Sequence, residues 1–381
     1  MPEIILPIDN RSTRVTIDRA SAYRPPANPL TSRVAYAAGH VVADPARPNT
    51  IDWDATLAFR RHLWSYGLGV AEAMDTAQRG MGLDWDSARD LIARSLAEAK
   101  TTKGLIACGA GTDHLPADQP ATLEDIVAAY EHQCEWVERN GGRVILMASR
   151  ALCKAAKSPD DYKAVYSRIL TQLRQPAILH WLGDMFDPKL AGYWGSTDLG
   201  EAMDVCLAII RDHAQKIDGI KISLLDAQRE IDMRAELPSG IRMYTGDDFN
   251  YDTLILGDAN HHSDALLGIF DAIAPAASAA IQALDNHNPA DFTRILAPTI
   301  SLSRHIFEHP TYSYKTGIVF LAYLNGHQHH FKMIGSQESA RSIEHLSRLL
   351  VLANDAGILA DPDLACRRMQ GILDHAGIAA R

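Results

Sequence analysis

The feature that most constrains the fold of this chain is a regular alternation of short apolar runs with amphipathic helical stretches. The first five runs begin 34, 37, 39 and 33 residues apart. Strands that alternate with helices form a parallel sheet, and eight such units predict a closed (β/α)8 TIM barrel of the α/β class. The eight runs begin near Val34, Leu68, Leu105, Val144, Ala177, Ile217, Ile241 and Leu254.

The stretches between the apolar runs carry clear helix-start signals. Asp84 or Asp86 can cap one helix, Thr122–Asp125 has the spacing of a capping box, and Ser158 followed by Pro159 begins another. The alternative is an open, Rossmann-like doubly wound sheet. No Gly-x-Gly-x-x-Gly motif follows an early run, so the sequence favours the closed barrel.

The same pattern predicts three parts. Residues 1–32 form an N-terminal arm with a hairpin, residues 33–287 form the barrel, and residues 288–381 form a C-terminal helical extension. The extension has apolar helix faces, so we expect a homo-oligomer. Four helices are expected in it, around 291–307, 314–331, 337–354 and 361–376.

Composition excludes several classes of protein. The 381 residues are 47% hydrophobic and 22% charged, with a net charge of −10, which argues against disorder and against general nucleic-acid binding. The five cysteines are widely spaced and form no C-x-x-C motif, and no run of 18 apolar residues occurs. The first residues do not resemble a signal peptide. We therefore expect a cytoplasmic protein with no membrane or nucleic-acid partner and with a small-molecule substrate.

Lys221 is the first candidate for chemistry. It lies between two isoleucines in the sixth apolar run, Asp218–Ser223. Lysine is rarely buried without a role, and burial lowers the pKa of an amine until it becomes the nucleophile that Schiff-base chemistry needs. The alternative is a lysine near a strand end whose ammonium group reaches solvent.

Other stretches match a known barrel family. Gly246–Asp248 follows the seventh run, His180 lies within the fifth, and Gly109–Thr112 ends the third. Together with Gly219–Lys221 they resemble the dihydrodipicolinate synthase / N-acetylneuraminate lyase superfamily of class I aldolases and dehydratases. The resemblance implies a TIM barrel with lyase activity, either aldol cleavage or dehydration.

Within that superfamily the chain is most similar to an uncharacterised branch described only as a domain of unknown function. The resemblance covers roughly residues 33 to 375. The stretches typical of this branch are Ala71–Gln78, Gly183–Pro188, Gly192–Gly195, Lys315–Gly317 and Asn325–His329.

The resemblance implies roles for two residues. In the superfamily a lysine on strand six forms an imine with a ketone, typically a 2-oxo acid, and Lys221 matches it. The protonated imine accepts the electron pair released when a bond breaks, so no external cofactor is expected. His180 stands where the superfamily has a tyrosine that relays protons. Imidazole can do this near neutral pH, although a structural, hydrogen-bonded histidine is the alternative.

The resemblance also implies substrate-binding positions. Gly109 and Thr112 would position the substrate, and Gly246, Asp247 and Asp248 would contact its hydroxyl groups. Alternatively, Asp248 only caps the following turn.

The second strand departs from the superfamily, which has Gly-Thr-Thr-Gly-Glu there. This chain has Asp75-Thr-Ala-Gln-Arg79, in which only Thr76 matches. The carboxylate anchor is therefore absent or replaced by Arg79. Glu72 and Asp75 can accept hydrogen bonds from hydroxyls, which indicates a keto-sugar and hence carbohydrate metabolism, unless they are solvated or capping carboxylates.

The loop after the fifth run combines acidic and aromatic residues. It includes Asp184, Phe186, Tyr193 and Trp194. Such a loop can form a sugar-binding wall over a barrel mouth, or it can serve only in packing.

Two other functions stay open. A divalent-metal lyase or isomerase on the same barrel could use Glu72, Asp113, His180 and His261 as ligands for zinc or manganese. The His327–His330 stretch falls in a predicted late helix and fits no barrel hydrolase pattern. A barrel that binds ligands without catalysis is the third possibility.

Overall fold

The computed structural model describes residues 2–47 and 49–378, and for Thr76 and Ala77 it describes the backbone alone. Eight parallel strands close into a barrel in the order β10-β3-β4-β5-β6-β7-β8-β9, and a separate antiparallel hairpin pairs β1 with β2. The strands are β1 Glu3–Ile8, β2 Arg11–Thr16, β3 Ala35–Ala37, β4 Gly69–Glu72, β5 Ile106–Ala110, β6 Arg143–Leu146, β7 Ala177–Leu182, β8 Ile217–Ser223, β9 Arg242–Thr245 and β10 Asp264–Leu267. The predicted (β/α)8 barrel is confirmed.

Helices separate the barrel strands along the chain and then continue alone to the C-terminal end of the described residues. The α-helices are α1 Trp53–Ser65, α2 Thr76–Arg79, α3 Trp85–Thr102, α4 Leu123–Arg139, α5 Arg150–Ala155, α6 Pro159–Gln172, α7 Leu199–Asp212, α8 Ala227–Glu236, α9 Tyr251–Leu256, α10 Ile269–Ala272, α11 Ala274–Asp285, α12 Pro289–Ile306, α13 Tyr314–Leu324, α14 Ile343–Asp355 and α15 Pro362–His375. Short 3-10 helices occur at Pro188–Leu190, Tyr193–Gly195, Ala214–Lys216, Thr311–Ser313 and Ile334–Ser339. Among the described residues, none of these helices is long and apolar enough to cross a membrane.

The predicted start signals hold where the structure tests them. Asp84, not Asp86, caps α3 through the amide of Ser87. Thr122 and Asp125 form a reciprocal capping box at the start of α4. These side chains accept hydrogen bonds from amides that have no partner within the helix, and so they fix where each helix begins.

The eighth strand was predicted in the wrong place. The apolar run at Leu254 lies in α9, and the strand that closes the barrel is β10. A short apolar run cannot be assigned to a helix or a strand by periodicity alone. His261 was expected near the end of the predicted eighth strand. It is exposed and lies before β10. Similarly, His327 lies in a bend after α13 and not in a helix.

The chain divides into two compact units. The barrel unit comprises residues 33–38 and 69–267, and it contains all eight barrel strands. The helical unit comprises residues 1–32, 39–68 and 268–381, and so it combines the N-terminal arm with α1 and the C-terminal helices. Within the helical unit the arm is fixed by hydrogen bonds, because the amides of Asp18 and Arg19 both donate to Asn354 Oδ1. The three-part division predicted from the sequence stays a prediction.

Candidate active site

The interior of the barrel is filled by side chains that alternate along the strands. A buried cluster joins residues from most of the strands, and in each strand the neighbours of these residues point outward. The cluster comprises Tyr36, Ala38, Ala71, Met74, Ala107, Ile145, Met147, Ile178, Tyr244 and Leu266. It identifies the inward positions of every strand that contributes to it.

Lys221 occupies one of these inward positions. It is paired in register with His180 on β7 and with Tyr244 on β9. Partners in register on neighbouring parallel strands project from the same face of the sheet. Because Tyr244 belongs to the interior cluster, Lys221 and His180 also face the interior, where they are 7% and 2% exposed.

Gly246 makes room for the lysine side chain. A Cβ at this position would lie 2.7 Å from Lys221 Cε, 2.3 Å from Ser223 Oγ and 2.5 Å from the carbonyl oxygen of Ile222. Real Cβ atoms do not approach neighbours so closely, so any larger residue would displace the lysine or the strand. The glycine that follows the seventh run therefore has a steric role beside Lys221.

His180 is held as a neutral imidazole. Burial, together with the charge of Lys221, keeps the pKa of His180 well below its usual range. Its Nε2 lies 3.2 Å from Ser223 Oγ, while the buried Nδ1 has no hydrogen-bond partner among the described residues. A neutral imidazole beside an amine can accept a proton that the amine or its adduct releases.

The sequence analysis missed Ser223. It lies two residues after Lys221 on β8, so the period of the strand places both side chains on the same face. Its hydroxyl is the only hydrogen-bond partner that the structure gives to the His180 ring in the part of the chain it describes. Strand alternation alone could have identified it.

The opposite end of the barrel is closed by a cluster of charged residues. Asp218 lies near the start of β8 and accepts hydrogen bonds from Arg143, Arg242 and the hydroxyl of Tyr244, at 3.0, 2.9 and 2.6 Å. Burial and Asp218 raise the pKa of Tyr244. The hydroxyl of Tyr244 is therefore held at this end of the barrel, although the Tyr244 backbone pairs in register with Lys221.

Arg79 does not replace the missing carboxylate anchor. Its Nε and Nη2 donate to Asp113, Nη2 also donates to Gln133, and Nη1 donates to the carbonyl oxygens of Ala73 and Gly109. These bonds use all five N–H donors of a guanidinium. Arg79 therefore fastens the loops after β4 and β5 together, and the hypothesis that it binds a substrate carboxylate is wrong.

Gly109 lies in β5, in register with the inward Ile145, and Thr112 lies in the turn that follows. A Cβ on Gly109 would lie 2.6 Å from the carbonyl oxygen of Ala73, so only glycine fits there. Thr112 is buried, and its hydroxyl lies 2.6 Å from Ser149 Oγ. The amide of Gly111 donates to Gln133 at 2.7 Å.

The predicted acidic contacts are not gathered at one place. Glu72 pairs in register with Cys108 and alternates with the inward Ala71, so it faces away from the interior. Asp75 is buried, and its carbonyl oxygen accepts the amide of Arg79 at the start of α2. Asp184 is exposed in a turn after β7. The side chain of Thr76 lies outside the described residues.

Asp247 and Asp248 are both buried after β9. Asp247 Oδ1 accepts the amides of Phe249 and Asn250 at 2.8 and 3.1 Å, and its Oδ2 accepts the side-chain amide of Asn250. This is an Asx turn, which stabilises the loop before α9. Asp247 therefore caps this turn.

The aromatic residues after β7 serve in packing. Trp194 is fully buried, with ring centroids 4.8 Å from Tyr166 and 6.3 Å from Trp181. The hydroxyl of Tyr193 accepts the amide of Ser149 and lies 2.9 Å from the hydroxyl of Tyr166. These contacts leave no free aromatic face for a sugar, so the packing alternative describes Trp194 and Tyr193.

A cavity of about 660 Å³ lies among the loops that follow β4, β5, β6 and β7. Its lining includes Thr112 and Met147, and Met147 also belongs to the interior cluster of the barrel. Lys154 and Lys189 are exposed and line it as well. A third cation, Arg150, is paired with Asp187. The cavity therefore has exposed lysines at its rim and shares Met147 with the interior cluster, but Lys221 and His180 are not among its lining residues.

The predicted metal ligands are not brought together. Asp113 is held by Arg79, Glu72 faces outward, and His261 is exposed before β10. Burial alone would raise the pKa of Asp113, but Arg79 and Gln133 hold it below its usual value. No group of three metal-ligating side chains among the described residues includes any of these positions.

A comparison with family models decides the family. The model described as "Protein of unknown function (DUF993)" matches residues 4–378. The chain belongs to the DUF993 family. The sequence matches none of the curated proteins with which it was compared.

Solved structures show which fold this DUF993 chain shares. A prophage protein of the dihydrodipicolinic acid synthase family from E. coli K12, in complex with pyruvate, is 11% identical with a TM-score of 0.66, over 86% of this chain and 99% of that chain. Dihydrodipicolinate synthase from Thermotoga maritima is 14% identical with a TM-score of 0.62, over 87% and 100% of the two chains. The enzyme from Aquifex aeolicus is 11% identical with a TM-score of 0.64, over 86% and 99%. The resemblance predicted from the sequence is confirmed for the fold.

Proposed function

We propose that this protein is a Schiff-base-forming lyase and that Lys221 condenses with the carbonyl group of a small ketone. The observation that supports the proposal most directly is the placement of the Lys221 amine inside the barrel, in register with the neutral His180. A lysine in a desolvated site more readily loses its proton and becomes nucleophilic. The shared fold of the dihydrodipicolinate synthases supports the same chemistry.

The reaction proceeds through an imine in which each residue has one task. The neutral amine of Lys221 adds to the ketone, and loss of water gives a protonated imine. When a neighbouring C–C or C–O bond breaks, or an α-proton leaves, the imine nitrogen is the electron sink. His180 accepts the proton from the substrate hydroxyl or from the α-carbon and returns it to the product. Water then hydrolyses the adduct and restores the amine.

We infer that the substrate is a small acidic ketone. The exposed Lys154 and Lys189 line the cavity, and their charges favour an anion. Arg79 is fully engaged and offers no anchor, so the carboxylate would have to reach this rim. A neutral keto-sugar lacks the charge that would interact with the rim, and it is the comparison substrate in the test.

Borohydride trapping tests the proposal. The protein is incubated with pyruvate, 2-oxo sugar acids or keto-sugars, reduced, digested and examined by peptide mass spectrometry. We expect a reduced adduct on the peptide that contains Lys221, formed most readily with an acidic ketone. Lys221→Arg should form none. Lys216→Arg, which changes a lysine whose ammonium group donates to the carbonyl oxygen of Leu173, should be trapped as the wild type is.

Two results would reject parts of the proposal. If folded wild-type protein forms no adduct with any ketone, the imine reaction does not occur. If neutral keto-sugars are trapped as readily as acidic ketones, the cationic rim does not select the substrate. The expected homo-oligomer is a separate proposal, which light scattering of the purified protein tests.

A further inference from the structure

A cluster of metal-ligating side chains lies in the helical unit, where the end of α12 packs near the start of α14. His305 is in the last turn of α12, Glu308 follows that helix, and His345 is in the first turn of α14. One ligand atom from each lies within 4.8 Å of the others. Among residues 2–47 and 49–378, this is the one group of three or more such side chains close enough to hold a metal ion.

Both imidazoles face the carboxylate of Glu308, each through its Nδ1 atom. His345 Nδ1 lies 2.9 Å from Glu308 Oε1, and His305 Nδ1 lies 3.3 Å from Glu308 Oε2. Nitrogen and oxygen ligands about 2.0–2.2 Å from a tetrahedral zinc ion are about 3.4 Å from each other. The observed separations therefore need little change to form a coordination sphere.

The two imidazole rings are also already aligned. They stack with centroids 4.0 Å apart and planes 19° from parallel. This stacking holds both rings beside Glu308, so that little conformational freedom is lost when an ion binds.

The backbone sets the tautomer of His305. Its Nε2 lies 3.0 Å from the carbonyl oxygen of His345, and a carbonyl oxygen can only accept, so Nε2 carries the hydrogen. In a neutral ring the lone pair is then on Nδ1, which faces the carboxylate oxygen of Glu308. Two facing lone pairs repel each other unless a proton or a metal ion lies between them. Metal-binding histidines commonly donate their second N–H to a backbone carbonyl in this way.

We propose that His305, Glu308 and His345 bind a divalent transition-metal ion. Two imidazole nitrogens and one carboxylate oxygen are a ligand set that suits Zn²⁺. The Glu308 side chain is 48% exposed, so the remaining coordination position is open to water. The ion joins the end of α12 to the start of α14 and so restrains the segment between them. This site does not involve Lys221, and the inference is independent of the proposed lyase chemistry.

Metal binding to the full-length, untagged protein tests the site. Protein stripped with a chelator is titrated with Zn²⁺ by calorimetry and with Co²⁺ by visible absorption, and its Tm is measured with and without zinc. We expect one zinc ion per chain and a higher Tm in its presence. Glu308→Gln and His305→Asn should each weaken zinc binding by about 100-fold or more, since the second-shell partners of a metal ligand alone account for about 10–100-fold.

His375→Asn is the matched control, because His375 is exposed and lies outside the cluster. It should bind zinc as the wild type does. Glu308 is partly exposed, so Glu308→Gln is expected to fold normally, and its circular dichroism spectrum without metal checks this. The inference is overturned if the wild type takes up no zinc, or if Glu308→Gln binds zinc as tightly as the wild type. Borohydride trapping at Lys221 should be the same in all these variants.

Discussion

His180 and Lys221 face each other in register on β7 and β8, and both side chains project into the interior of the barrel. In the proposed reaction, this pairing places the amine and the proton acceptor on neighbouring strands. Because burial and the charge of Lys221 lower the pKa of His180, its imidazole is neutral and carries a lone pair that can accept a proton only during the reaction. The division of tasks can be tested one residue at a time.

The first prediction concerns proton transfer. His180→Asn should still form the borohydride-trapped adduct at Lys221, because the amine is unchanged. Exchange of the α-protons of the bound ketone with deuterated solvent, followed by NMR, should slow by about 10²–10⁴-fold, the usual contribution of a general base. His132→Asn, which changes an exposed histidine, should exchange at the wild-type rate. Equal exchange in wild type and His180→Asn would show that another group moves the proton.

The second prediction concerns the space beside the lysine. Gly246→Ala adds a Cβ 2.7 Å from Lys221 Cε, so either the lysine or the strand has to move. We expect a loss of stability of about 1–3 kcal/mol, typical of overpacking, and weaker trapping at Lys221. Denaturant unfolding and mass spectrometry measure the two effects.

Gly371→Ala is the control for this substitution. Gly371 lies in α15 and a Cβ there meets nothing within 4 Å, so alanine should stabilise the helix by about 0.5–1 kcal/mol. If Gly246→Ala is as stable and as readily trapped as the wild type, the lysine does not depend on this glycine.

The third prediction concerns the buried guanidinium of Arg79. Lysine cannot reproduce five donors in a planar arrangement, so Arg79→Lys leaves Asp113 and Gln133 without several of their bonds. We expect a loss of about 1–3 kcal/mol, because buried acceptors lose hydrogen bonds while the positive charge is kept. Urea unfolding measures it. Arg139→Lys, at an exposed ion pair with Glu135, should change stability by less than about 0.5 kcal/mol.

The fourth prediction concerns pH. Burial raises the pKa of Glu230, on α8, to about 8, and its Oε1 accepts the hydroxyl of Ser263 at 2.7 Å. Between the usual pKa of 4.5 and about 8, the folded state holds a proton that the unfolded state has lost. Stability therefore falls as pH rises through this range.

Glu230→Gln removes this dependence because the amide does not ionise. The Tm of Glu230→Gln minus the Tm of the wild type should increase from pH 5 to pH 8. Glu236→Gln changes an exposed carboxylate at the end of the same helix, and its Tm difference from the wild type should be nearly constant. A constant Tm difference for Glu230→Gln would mean that this carboxyl is ionised throughout the range.

Much of the barrel could be predicted because its strands are apolar and its helices begin with polar caps. The exception is β10, which begins with Asp264. This carboxylate accepts the amide of Val34 at 2.7 Å and contacts Arg242 at 3.2 Å. A charged residue that is stabilised by contacts far away in sequence gives no local strand signal. The apolar run at Leu254 gives such a signal although it is helical.

The site was predictable where it depended on strand geometry. The family resemblance assigned Lys221 and His180 to one site, and the two are in register; the period of two along the strand also reaches Ser223. Prediction failed where a side chain depended on distant partners. Replacement of the carboxylate anchor by Arg79 was one of two alternatives, and the sequence could not decide because its partners Asp113 and Gln133 lie 34 and 54 residues further along the chain.

The ion-pair cluster around Asp218 has a consequence for the order of events during turnover. It closes one end of the barrel, and the rings of Tyr36 and Tyr244 fill the space above it. In the proposed lyase reaction, substrates and products would therefore use the same opening at the other end. In an aldol cleavage, the fragment that is not bonded to Lys221 has to diffuse out before water can reach and release the other. Product release should then be strictly ordered, with the aldehyde first and the ketone last.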